Sequence, residues 1–100
     1  MRQDRTILQA TVSVPEHVVH REFAEETVAL NLERGTYHGL NPTAARMLEV
    51  LGEAGTIGSA VAPLALEFEQ EPALIERDLV TLCRALHERG LVELHGAGGD

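Results

Sequence analysis

His17 and His20 stand three residues apart, a spacing that on one helix face would offer two imidazoles to a metal ion. The segment that carries them, Thr11 to Phe23, is rich in Val and Thr and broken by Pro15, which suits an edge or irregular strand. In an extended backbone the same spacing points the two rings to opposite sides, and no Cys or carboxylate cluster completes a four-ligand set. No metal site is expected, and both histidines read as solvated. Cys83, the only cysteine, lies among Leu79, Leu82 and Leu86, where a thiol packs as a small hydrophobe and its thiolate is disfavoured. Arg84 and His87 are its only neighbours in sequence that could activate it, so packing is the better reading. There is no Gly-rich phosphate loop, nucleophile elbow or paired-carboxylate pattern. The sequence therefore offers no catalytic residue and implies no cofactor, and an enzyme is the least favoured class.

What remains is the chemistry of an unprotected backbone. Thr36, Tyr37, His38, Gly39 and Leu40 form an extended stretch with no Lys, Glu or Asp, the charges that proteins usually place on exposed edges to prevent foreign pairing. Either another element covers this stretch, or it stays open so that an extended peptide can add a strand through main-chain hydrogen bonds. Patterning alone does not choose between the two.

The elements around it follow from periodicity. Over Thr27 to Leu32, Val28, Leu30 and Leu32 alternate with Thr27, Ala29 and Asn31, which predicts a strand with the Val28 and Leu30 face on a core. Glu33, Arg34 and Gly35 then make a turn, so Thr36 to Leu40 returns as the second arm of a hairpin and the last strand of a three-stranded meander. Asn41 and Pro42 open a helix that runs to about Glu53, with Ala44, Met47, Leu48 and Leu51 at helical spacing. Thr56 caps a second helix reaching Phe68, in which Pro63 removes a bond to Ser59 and predicts a bend there. Pro72 starts a third helix, striped by Ile75, Leu79, Leu82 and Leu86 and closed by Gly90. Leu74, Arg77, Asp78, Thr81 and Ala85 flank that stripe. If this face adjoins the edge strand, it forms a shallow apolar groove with a charged rim. Leu91 to Leu94 reads as a short closing strand.

The chain of 100 residues has room for one domain, and 44% apolar residues suffice for one core built from Leu, Val, Ala and Ile, since there is no Trp, one Tyr and two Phe. Residues 1–10 read as a loose arm, 11–95 as the domain and 96–100 as a flexible tail. The formal charge of -8 repels phosphate backbones, which argues against nucleic acid, and the third helix has no basic surplus with which a winged-helix regulator would enter DNA. The first residues lack the apolar run of a signal peptide or membrane helix, and the single cysteine has no disulfide partner, so no membrane contact and a cytoplasmic setting are the default expectations.

Taken in order, VALNLERGTYHGLNPTAARMLEVL followed by RDLVTLCRALHERGLVEL resembles the PqqD-like family, the peptide-recognition domains of ribosomal peptide natural-product pathways. The resemblance covers about residues 11 to 95. It rests on the hairpin ending Tyr37-His38-Gly39-Leu40-Asn41, the helix opening Asn41-Pro42-Thr43, the Asp78-Leu79 pair and the closing Arg89-Gly90-Leu91-Val92. It implies an α+β, winged-helix-like fold, with a three-stranded antiparallel sheet followed by three helices. It also implies that the leader segment of a precursor peptide binds as an added strand beside the third strand and against the third helix. That places peptide contacts at Val28, Leu30, Thr36, Tyr37, His38, Gly39, Leu40, Leu74, Asp78 and Leu82. The hairpin and the short length look most like the stand-alone leader-binding protein of lasso-peptide pathways, which presents the precursor to a separate leader peptidase and cyclase. The PqqD protein proper, which serves a radical-SAM enzyme, is the runner-up. The chain departs from the family pattern at Gly58 and Pro63 in the second helix. It departs again at His38-Gly39, where relatives are often more aromatic and where glycine would leave space for a ring of the peptide.

Overall fold

The computed structural model describes residues 7–96. Five strands, β1 (Thr11–Ser13), β2 (Val18–Glu22), β3 (Thr27–Asn31), β4 (Tyr37–Leu40) and β5 (Glu93–His95), enclose three consecutive helices, α1 (Pro42–Ala54), α2 (Ile57–Phe68) and α3 (Pro72–Glu88). β2, β3 and β4 form an antiparallel meander with β4 at one edge, and β1 pairs with β5 in a separate two-stranded ribbon. This is the α+β order read from the sequence, with one refinement. The Thr11 to Phe23 segment is two strands, because Pro15 lies between β1 and β2 and the two pair with different partners.

The helices start where their caps dictate. Asn41 Oδ1 accepts the Ala44 amide at 2.8 Å ahead of Pro42, and Thr56 and Ser59 satisfy one another's backbone in a capping box. α2 runs through Pro63 as one helix. Its first amides are bonded by a segment that the sequence suggested was loose: Ile57 N donates to Ala10 O and Gly58 N to Leu8 O. Ile7 and Ala10 are buried in the helical core, so the packed chain begins before residue 11. Gly58 permits this approach, since a Cβ there would lie 3.0 Å from the Leu8 carbonyl oxygen. Residues 1–6 of the proposed arm and 97–100 of the proposed tail lie outside the described residues.

The core has two parts. The larger one joins α1, α2 and α3 through Met47, Leu51, Ile57, Leu64, Ile75 and Leu79, and the smaller one seats the sheet through Val18, Ala29, Leu40, Leu86, Leu91 and Val92. Leu48 and Leu82 pack against both. The face of β3 turned to this core is the reverse of the expected one. Ala29 and Asn31 are buried, while Val28 and Leu30 are half-buried on the outer face and Leu32 is 61% exposed. Alternation identifies a strand but not which face is covered, and a one-residue choice exchanges every side chain.

The choice is made by Asn31. Its Oδ1 accepts the amides of Glu33 and Arg34, both at 2.9 Å, and its Nδ2 donates to Gly90 O at 2.8 Å. A fully buried amide is thus satisfied at both ends while it fixes the hairpin turn to the end of α3. Asn31→Ala should lower stability by about 2–4 kcal/mol, because it leaves buried backbone groups unpaired. Urea denaturation followed by circular dichroism measures this, and a loss below about 1 kcal/mol would contradict the role given to Asn31.

Candidate functional site

β4 is the edge around which the site is built, and its hydrogen-bonding pattern can be read from its pairing. Asn31 N donates to Thr36 O, so the pair of residues 31 and 36 is a bonded one. In the β3–β4 register, Leu30 faces Tyr37, Ala29 faces His38, Val28 faces Gly39 and Thr27 faces Leu40. Bonded and non-bonded pairs alternate along an antiparallel ladder. His38 and Leu40 therefore direct their amides and carbonyls to β3, and Tyr37 and Gly39 direct theirs to the free edge. No strand among the described residues pairs with that edge.

Side chains alternate the other way. Tyr37 and Gly39 lie on the outer face, and His38 and Leu40 face the helices. Leu40 is 1% exposed and belongs to the core, whereas His38 is half-buried in a groove of about 320 Å³ between β4, α1 and α3. Asp78, Thr81, Leu82 and Ala85 form its α3 wall, and Asn41, Thr43, Ala44 and Met47 its floor and α1 side. Through Thr43, Met47 and Asp78 it adjoins a second cavity of about 540 Å³, lined also by Phe68, Gln70, Leu74, Ile75 and Arg77. The apolar bed is Met47, Leu74 and Leu82, and the polar rim includes Arg77 and Asp78, which approach to 3.6 Å.

The far end of the groove is tied shut. Thr36 Oγ1 donates to Arg89 O at 2.5 Å and Arg34 Nη2 to Glu88 O at 3.3 Å, beside the Asn31 bond to Gly90. Gly90 has φ +71, and a Cβ on it would collide with the Asn31 and Arg34 side chains, so only glycine lets the hairpin close on α3 here.

The ten residues expected to touch a peptide thus divide. His38, Asp78 and Leu82 meet in one cavity and Leu74 lies in the adjoining one. Tyr37 and Gly39 supply the free backbone. Thr36 is committed to Arg89, Leu40 is buried, and Val28 and Leu30 sit on the outer face behind β4, away from the groove. The space above Gly39 is not an empty slot for a peptide ring, because the Glu26 carboxylate lies over it. Thr43, Ala44 and Met47 were not expected at the site. Met47 and Ala44 read as core positions of α1, and only the closeness of α1 to β4 brings them to the groove wall.

Two titratable groups are informative. Burial pushes the Cys83 thiol up to about 12, so it is a packed, protonated side chain. Burial, with the Arg89 charge in support, holds the His38 imidazole below its ordinary 6.5. The groove therefore presents a neutral ring at pH 7, and that ring makes no side-chain hydrogen bond among the described residues. Among those residues no group of three or more His, Cys, Asp or Glu is placed to hold a metal, and no helix is long and apolar enough to cross a membrane.

Fold and site together define a small α+β domain whose open strand edge borders a helix-lined groove. The family model for coenzyme PQQ synthesis protein D (PqqD) matches residues 26–92, and the chain belongs to that family. It is similar to the solved structure of TbiB1 in complex with the TbiA(beta) leader peptide, at 30% identity and TM-score 0.70, over 86% of this chain and 98% of that one. It is also similar to a lasso peptide synthetase B1 complexed with the leader peptide, at 26% identity and TM-score 0.74, over 84% and 99% of the two chains. No curated protein sequence matches.

A pH dependence follows from His38. The unfolded chain takes up a proton at residue 38 as pH falls through about 6.5, whereas the folded chain resists until lower pH, so this residue makes stability fall towards acid. His38→Gln should flatten that fall. The stability difference between wild type and variant, from urea denaturation at pH 8 and pH 5, should shift in favour of the variant at the lower pH; an unchanged difference would contradict the assignment.

Proposed function

We propose that this chain binds the leader segment of a ribosomally made precursor peptide, taking it up as an additional strand along β4 and against α3, and presents it to separate maturation enzymes, a leader peptidase and a cyclase. The observation that carries the reading is the free edge at Tyr37 and Gly39. It offers two amides and two carbonyls, is built from residues that carry no Lys, Arg, Asp or Glu, and borders an apolar groove of a size suited to alternate side chains of an extended peptide. The opposite edge contrasts with it. β2 carries Arg21 and Glu22, charges that oppose pairing with a foreign strand.

The solved relatives support this reading, since both hold leader peptides, and one is a lasso peptide synthetase B1. That favours a lasso-peptide pathway over service to a radical-SAM enzyme. Nucleic acid is disfavoured by the charge of -8. The part played is that of a binding protein: the groove is mainly apolar, with His38, Asp78, Thr43 and Thr81 among its polar groups, and the only thiol is buried.

The test uses a leader peptide that binds the wild-type chain, sought first among precursors encoded in its gene neighbourhood and labelled for fluorescence anisotropy. Gly39→Pro removes one edge donor that has no partner within the protein, and should weaken binding at least about tenfold, in line with the loss of a backbone hydrogen bond and local distortion of the strand. Leu82→Asp, which puts a charge in the apolar bed, should weaken it by a comparable factor. Wild-type affinity in both variants, with circular dichroism unchanged, would sink the placement.

A further inference from the structure

Glu26 ends the turn between β2 and β3, and its side chain crosses the outer face of the sheet to lie over Gly39. A Cβ built on Gly39 would collide with Glu26 Oε2 and lie 3.1 Å from Cδ and 3.7 Å from Oε1. The register accounts for the reach. Gly39 is paired with Val28, and position 26 lies two residues earlier on the same face, a diagonal neighbour that a long side chain spans. The carboxylate makes no ion pair or side-chain hydrogen bond among the described residues. An unpaired negative charge thus stands on the free-edge strand, above bare backbone, at the position where the edge offers its hydrogen bonds. Two residues away on the same face, Tyr37 presents a ring that is 66% exposed.

We propose that Glu26 is a specificity-determining residue of the strand site, selecting peptides that place an Arg or Lys on the outer face where they pair with Gly39. This rests on the strand-addition reading and deepens it. A residue paired with Gly39 turns its side chain outward, beside the carboxylate. The peptide's next outward residue, two positions on, meets the Tyr37 ring, and the residues between turn into the groove towards Met47 and Leu82. Glycine at 39 is required for the arrangement, because any larger residue would lift Glu26 off the edge. The protein's overall negative charge would favour cationic peptides in general, but only Glu26 ties the preference to one position in register.

The experiment selects binders to the full chain from a displayed random library of peptides about 20 residues long, in parallel with Glu26→Gln and Glu26→Lys. The exposed position of Glu26 makes these substitutions compatible with folding. Wild type should enrich Arg or Lys at one fixed place in an alternating apolar pattern, and Glu26→Lys should enrich Asp or Glu there. Replacing that peptide residue by Gln should raise the wild-type Kd about 2- to 5-fold at low salt, the range of an exposed ion pair, and leave Glu26→Gln nearly unaffected. Amide shifts in each complex separate the failures. Binders that perturb Tyr37 and Gly39 but show no positional basic preference, or lose as much with Glu26→Gln as with wild type, overturn the role of Glu26 alone. Binders that perturb only other surfaces, or a selection that enriches nothing, overturn the strand site and this inference with it.

Discussion

The structure depends on one buried amide. Asn31 is the only polar residue among the described ones that is buried together with the core, and its side chain closes the hairpin turn on one side and grips the Gly90 carbonyl on the other. A side chain with both a donor and an acceptor is needed for this, since Leu would leave three backbone groups unpaired and Asp would bring an acceptor against the Gly90 carbonyl. The bond decides which face of β3 is covered, and so which residues of β4 turn to the helices. With Thr36 and Arg34 bonded to the last carbonyls of α3, it ties the start of β4 to the end of α3. The groove lies beyond this tie, between β4, α1 and α3.

An edge held in this way is fixed but unpaired. Four residues of β4 present two donors and two acceptors to solvent, and β4 carries no Lys, Arg, Asp or Glu of its own, whereas β2 carries Arg21 and Glu22. A short edge limits the chance of self-association, and a helix wall beside it limits which strands fit. The neutral His38 ring, Leu82 and Met47 favour apolar or weakly polar side chains on the groove side. In the proposed strand addition, the main chain supplies attachment and the alternate side chains supply selection.

Much of this was legible in the sequence, for identifiable reasons. The caps at Asn41 and Thr56, the proline at 42 and the stripe of α3 are local signals, and they fixed the helices to within about two residues. The absence of charge over Thr36 to Leu40 marked β4 as the edge to examine, and periodicity put Asp78, Thr81 and Ala85 beside the α3 stripe, but only the family resemblance set Leu74, Asp78 and Leu82 against that edge. The rest depended on contacts distant in sequence. Val28 and Leu30 carry the apolar half of the β3 alternation, yet the polar half is buried because Asn31 finds partners 59 residues away at Gly90. Residues 7–10 have no periodicity of their own and are ordered by the open amides of α2 and the small size of Gly58. Glu26 lies over Gly39 only because of the hairpin register, so no local pattern joined the two.

Amide hydrogen exchange, read residue by residue in free and leader-bound protein, tests the central claim most directly. If β4 is the open edge that accepts the peptide, the Tyr37 and Gly39 amides exchange quickly in the free protein and become protected on binding. His38 and Leu40, already bonded to β3, are slow in both states. Protection that appears instead at His20 and Glu22 on the opposite edge, or at neither edge while the peptide is bound, would contradict the account.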